Sequence, residues 1–275
     1  MVADETSSSI HLRRVSRDPA ASGQETFPFS VPIVRELDYL ELTTPVSILV
    51  GENGSGKSTL LEAIACASRL PAVGSRDLAD DPSLVAVRRL ACQLRLTWSG
   101  KGRRGFFLRA EDFFGYARRL ALLEAEAQAE IEAVDERYEG HSQLAKQLAK
   151  GTHRKTLGEL RSLYGEGLDA QSHGESFLKL FQSRLVPNGL FLLDEPEAPL
   201  SPLRQLALVG LMRDAVAEGG QFLIATHSPI VMAYPGATLL DCDQAPLVEV
   251  AYDELESVNL LKSFLADPER FLRRL

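Results

Sequence analysis

Two kinds of apolar pattern alternate along this chain. Short, mainly apolar runs at residues 46–50, 190–193 and 221–226 read as strands buried on both faces. Between them, apolar residues recur at helical spacing, as in residues 57–68 with Leu60, Leu61, Ile64 and Ala65, and in the helix that runs to about Ala217. Residues 10–15 alternate and predict a first strand. Phe27-Pro28-Phe29 leads into residues 31–34, where Pro28 and Pro32 predict edge or turn segments. Residues 71–82 form a loop, and residues 90–98 and 106–109 predict a β-hairpin with a Gly- and cation-rich turn. Residues 238–241 and 247–251 predict closing strands, and from about Ser257 the chain is helical with a break near Pro268. Strands alternating with helices through the second half predict an α/β fold with a mainly parallel sheet.

Composition changes abruptly from about Glu111 to Tyr164, where Leu, Ala, Glu, Lys and Gln dominate and Pro is scarce. Residues 117–133 predict an amphipathic helix and residues 144–148 and 157–163 two shorter ones, a helical insertion too short for a long coiled coil. The expected organisation is a disordered tail at 1–9, the first part of the core at 10–110 and the insertion at 111–170. The second part of the core then spans 171–252, ahead of a helical tail at 253–275. The acidic, Ser-rich start is not a signal peptide, and no apolar run reaches the roughly 18 residues of a membrane span. Cys66, Cys92 and Cys242 are scattered and odd in number, which argues against disulfides or a zinc site and fits a reducing cytoplasm. A net charge of −8 argues against a protein that coats nucleic acid with its whole surface. The turn containing Lys101, Arg103 and Arg104 is the one concentrated basic patch and a candidate nucleic-acid contact, beside the plainer reading of a solvated turn.

Chemistry concentrates in two places. Gly51-Glu52-Asn53-Gly54-Ser55-Gly56-Lys57-Ser58-Thr59 follows a buried strand and opens a helix, fitting G-x-x-x-x-G-K-[ST]. A helix N-terminus carries about half a positive charge and free N–H donors, which suit a triphosphate. Lys57 is placed to reach the β- and γ-phosphates and the Ser58 hydroxyl to ligate Mg²⁺. The second place is the end of the run at 190–193, where Asp194 suits Mg²⁺ and Glu195 an attacking water. Phe27, Phe29, Arg13 and Arg14, upstream of the loop, are candidates to touch a base, with core or surface roles favoured for each.

These motifs resemble those of the ABC-type P-loop ATPases. Gly51 to Ser58 resembles Walker A, and Leu190 to Glu195 resembles Walker B with its adjacent glutamate. Ser172-His173-Gly174-Glu175 resembles the signature motif, Ala198 to Pro202 the D-loop, and Thr226-His227-Ser228-Pro229 the switch histidine. The likeness is to compact bacterial ATPases of the AAA-annotated kind, related to chromosome-maintenance, DNA-repair and defence heads. It implies ATP and Mg²⁺ as ligands, and Ser172, Gly174 and Glu175 at the γ-phosphate of a second protomer. Hydrolysis would use Glu195, Lys57 and His227. Glu111 stands where a metal-contacting Gln is expected, and Gln171 and His173 have no assigned role. The reading is an ATP-hydrolysing head that dimerises on ATP and switches a nucleic-acid or protein partner. Its rivals are a transporter's ATP-binding subunit and a non-hydrolysing sensor, the latter disfavoured by Glu195.

Overall fold

A computed structural model describes residues 10–18, 26–73, 78–100, 104–164 and 173–273. In chain order its elements begin β1 (Leu12–Arg17), α1 (Pro32–Arg35), β2 (Tyr39–Glu41), β3 (Val46–Val50), α2 (Lys57–Ser68) and α3 (Val85–Ala91). They continue β4 (Leu94–Trp98), β5 (Gly105–Arg109), α4 (Ala110–Arg137), α5 (Gln143–Tyr164), α6 (His173–Arg184) and β6 (Leu190–Asp194). The last are α7 (Pro202–Ala217), β7 (Gln221–Ala225), α8 (Pro229–Met232), β8 (Thr238–Asp241), β9 (Val248–Val250), α9 (Glu256–Ala266) and α10 (Pro268–Leu272).

Burial pattern decides which sheet each strand joins. Every residue of β3, β6 and β7 is buried, so these strands need helices on both faces and lie inside a sheet of order β5-β6-β7-β3-β8-β9. Pairing within it is parallel except between β8 and the edge strand β9. The one-faced strands β1, β2 and β4 make a separate antiparallel sheet of order β2-β1-β4. The fold is thus α/β, with a mainly parallel core and an antiparallel subdomain.

The predicted hairpin is overturned. β4 pairs with β1, whereas β5 pairs in parallel with β6. The difference was visible in pattern: Leu94, Leu96 and Trp98 alternate with the exposed Arg95 and Thr97, while Phe106, Phe107 and Leu108 are consecutively buried and demand two covered faces. Leu90 and Ala91 close α3 rather than open a strand. Gly105 starts β5 so close to β6 that a built Cβ would lie 1.8 Å from the Leu190 carbonyl oxygen, so the residue is there for close approach, not for a turn. Of the expected basic tip, Lys101 and Arg103 lie outside the described residues, as does the tail at 1–9.

Three further differences are local. The Pro32 segment is a one-turn helix with proline in its first turn, where the missing N–H has no helical partner to lose. The two short helices expected after the insertion's first helix are one continuous α5, because Gly151 and Gly158 cost helix propensity but pack against nothing that would break the turn. α4 begins at Ala110, directly after β5.

The core lies on both faces of the parallel sheet. On one face Leu49, Leu192, Leu223 and Phe107 pack against Leu60, Leu61 and Ile64 of α2 and on into the antiparallel sheet. On the other, Phe106, Phe191 and Phe222 stand in register across β5, β6 and β7 with centroids 5.1 and 4.9 Å apart. Phe177 and Phe181 of α6 close over that row, Phe181 edge-on to Phe106 at 6.0 Å. The two sheets are joined by one buried amide: Gln221 accepts from the backbone N–H groups of His11 and Leu12 (both 2.9 Å) and donates to the Leu12 carbonyl (2.9 Å).

Candidate nucleotide site

The loop between β3 and α2 needs its glycines. Gly51, Gly54 and Gly56 hold φ of 139°, 84° and 102°. A Cβ on Gly56 would in addition meet the Val31 side chain at 2.4 Å, so the segment carrying Phe27 to Ile33 braces the loop from behind. No side chain caps α2, which leaves its first N–H groups turned out as donors. Lys57 is folded back into its own loop, donating to the carbonyls of Gly51 and Glu52 (both 2.8 Å) and to Ser55 Oγ (3.3 Å). Burial pushes its ammonium below the usual lysine range, against the pull of nearby carboxylates. The Asp243 carboxylate, just past β8, accepts from the Glu52 N–H at 2.9 and 3.0 Å and ties the mouth of the loop to the end of the neighbouring strand β8. Asn53 and Gly54 are exposed at the loop's rim, and Ser55 and Thr59 are half-buried.

The two sequence-predicted centres meet. The Ser58 hydroxyl, in the first turn of α2, donates to Asp194 Oδ1 at 2.9 Å, joining the loop to the carboxyl end of β6. Burial pushes the Asp194 carboxyl up to about 7, against the Ser58 hydrogen bond. Glu195 follows with φ 48° and a half-exposed side chain whose Oε1 lies 4.0 Å from His227 Nε2. Glu197 fixes the strand end that carries His227, its Oε1 accepting from the N–H groups of His227 (2.7 Å) and Ser228 (3.1 Å). Beside them opens a cavity of about 450 Å³ lined by Ser58, Glu62, Arg109, Glu111, Asp194 and Glu195, among others.

That cavity also contains residues the sequence analysis did not assign. Arg109, 6% exposed, ends β5 opposite Asp194 in the ladder. Its guanidinium donates to Glu62 of α2 (3.1 Å), to Asp81 (2.6 Å) and to Asp112 in the first turn of α4 (2.8 Å). Glu62 was legible, since it stands one turn after Ser58 on the same face of α2. Arg109 was not, because its partners come from three separate segments. Glu111 reaches the cavity with a carboxylate that is 77% exposed and 3.6 Å from Arg109.

The signature-like stretch sits elsewhere. Ser172 and Gln171 lie outside the described residues, and of His173 only the backbone, at the start of α6, is described. A Cβ on Gly174 would meet Arg204 Cδ at 2.8 Å and the Pro199 carbonyl at 2.9 Å, so the α6 N-terminus packs on the turn after β6. Glu175 pairs with Lys179 (3.6 Å) and Arg204 (4.0 Å), and neither it nor Gly174 lines the cavity. Of the base candidates, Phe29 is fully buried beneath Arg17 and Arg89, and Phe27 is half-exposed. Arg14 pairs with Glu41 and lies over Tyr39, and Arg13 is exposed on β1.

Two family models match the chain on these segments. Residues 28–71, holding the glycine loop, match a family described as "AAA domain". Residues 176–233, holding Asp194, Glu195 and His227, match "AAA domain, putative AbiEii toxin, Type IV TA system". A curated relative, the macrolide export ATP-binding/permease protein MacB of Hahella chejuensis (strain KCTC 2396), is 27% identical over 218 residues, which is 74% of this chain. The match spans only 29% of that relative's length. Among solved structures, a nucleotide-free ATP-binding cassette of an ABC transporter is 20% identical, with a TM-score of 0.47 over 94% of this chain and 97% of that one. A Pyrococcus furiosus Smc head domain, bound to the C-terminal domain of ScpA, is 10% identical, with a TM-score of 0.42 over 93% of this chain and 99% of that one. The two family matches fall on the segments that carry the glycine loop and the Asp194-Glu195 strand end, and with the order of motifs on this sheet they support a P-loop ATPase.

Proposed function

We propose that the chain binds ATP with Mg²⁺, hydrolyses it, and dimerises around the nucleotide to switch a macromolecular partner. The observation that carries this reading is the Ser58–Asp194 hydrogen bond beside an accessible Glu195. It brings a hydroxyl and a carboxylate, both hard oxygen donors, to one point next to free helix N–H groups, a donor set that fits Mg²⁺. Ser58 and Asp194 would hold the ion there, and it would supply positive charge against the phosphates.

The protein's own residues do the rest. The loop N–H groups and Lys57, released from the Gly51 and Glu52 carbonyls, hold the phosphates. Glu195 takes a proton from the attacking water, and its exposure leaves room for that water. His227, held through its backbone by Glu197, is placed to sense the γ-phosphate. Gly174 and Glu175 sit away from their own cavity, an arrangement that supports a role toward the nucleotide of a second copy. A cytoplasmic DNA-maintenance or defence-like process is part of the same proposal, and the type IV toxin–antitoxin description of one family match favours its defence-like arm. The permease relative favours a second reading, the ATP-binding subunit of a transporter. Among the described residues no helix is long and apolar enough to cross a membrane.

Glu195→Gln tests the first reading. It keeps shape and hydrogen bonding but cannot take the proton, so it should bind ATP normally and hydrolyse it at least about a hundredfold more slowly. It should accumulate as a dimer with ATP and Mg²⁺ by light scattering. A variant that hydrolyses at the wild-type rate removes Glu195 from the chemistry, and one that stays monomeric with ATP bound removes the dimer.

A further inference from the structure

Mg²⁺ in phosphate sites keeps several water ligands, because it dehydrates reluctantly and takes only one or two carboxylates plus the substrate phosphates. Those waters need acceptors. Among the described residues no group of three or more His, Cys, Asp or Glu side chains forms a metal cluster here. The hydrogen-bonded Ser58 and Asp194 pair is taken as the direct donor set, and carboxylates of the cavity around it are the candidate acceptors for water.

Glu62 is the carboxylate built for that task. It lies one helical turn after Ser58, lines the same cavity and is 14% exposed at its side chain. Its Oε1 is held 3.1 Å from Arg109. Arg109 in turn cannot swing, because Asp81 at 2.6 Å and Asp112 at 2.8 Å hold it from the other sides. A side chain clamped this way has already lost its rotamer freedom, so ordering water against it costs little further entropy. Glu111, on the same rim, is solvated and held only at 3.6 Å. We propose that Glu62, clamped by Arg109, is a positioning residue that orients the water ligands of the divalent ion held at Ser58 and Asp194. This rests on the nucleotide reading above.

The test separates ion from nucleotide. A fluorescent ATP analogue is titrated into wild type, Glu62→Gln and Arg109→Lys, first in EDTA and then with rising Mg²⁺, and Mn²⁺ spectra are recorded by electron paramagnetic resonance. Glu62→Gln leaves Arg109 its bonds to Asp81 and Asp112 and its ion pair with Glu111, so the fold should persist, checked by thermal melting. Its affinity in EDTA should match wild type, while half-saturating Mg²⁺ rises about 10- to 100-fold, the usual cost of an outer-shell partner. The Mn²⁺ spectrum should change in linewidth, and Arg109→Lys should give a smaller shift in the same direction. Unchanged Mg²⁺ dependence and an unchanged Mn²⁺ spectrum in Glu62→Gln would overturn the proposal. So would an equal loss of affinity with and without Mg²⁺, which marks a purely structural role. If wild type shows no Mg²⁺-dependent nucleotide binding, the nucleotide reading itself falls, and this proposal with it.

Discussion

Replacing Asp194 by Asn should make the nucleotide-free protein more stable at neutral pH while disabling its metal site. Burial raises this carboxyl from 3.8 to about 7, so in the folded chain it keeps its proton where the unfolded chain has lost it. The sign follows from proton linkage. As pH rises from about 4 to about 7 the unfolded state gains from ionising Asp194 and the folded state does not, so stability drains away across that window. At 1.36 kcal/mol for each pKa unit, the rise corresponds to a ceiling of about 4 kcal/mol above pH 7. Asparagine has no such penalty, and its carbonyl oxygen still accepts from Ser58. The stability difference between Asp194→Asn and wild type should be near zero at pH 4. It should grow through pH 5 and 6, and level off above about pH 7. Urea unfolding followed by the fluorescence of Trp98, the chain's one tryptophan, measures it in EDTA-treated protein. A difference that does not change with pH would refute the reasoning, as would a variant less stable than wild type at pH 8.

Lys57→Ala removes the loop's charged donor to the Gly51 and Glu52 carbonyls as well as its phosphate ligand, so it should abolish ATP binding in calorimetry and lower the melting temperature slightly even without nucleotide. Gly174→Val would drive a side chain into Arg204 and the Pro199 carbonyl. It should leave ATP affinity in the monomer intact and suppress the ATP-loaded dimer of Glu195→Gln, and a dimer surviving at full strength would move the signature surface elsewhere.

What the sequence reveals, and what it hides, follows from the range of each interaction. The glycine loop is a local pattern between a strand and a helix, and Asp194-Glu195 is a local pattern at a strand end, so both were readable and the structure brings them together. Register across a sheet is not local. β5 reads as the second half of a hairpin because β4 precedes it in sequence, and only its unbroken burial shows that it belongs beside β6. Arg109 reaches back to Glu62 and Asp81, and Asp243 to Glu52, so these contacts leave no short-range signature. Gln221, which ties the two sheets through Leu12, looks in sequence like an ordinary polar strand start.

The backbone at Glu195 has a consequence for how this chain can change. Its φ of 48° is a left-handed conformation that glycine or asparagine adopts more cheaply than glutamate does, by about 1 kcal/mol. Drift or redesign guided by folding stability alone would therefore replace Glu195 with glycine, just as it would replace Asp194 with asparagine. Each exchange would give a sturdier protein with the same fold. The two adjacent carboxylates persist only under selection for what they do, so a descendant that loses them keeps its architecture and gives up that work.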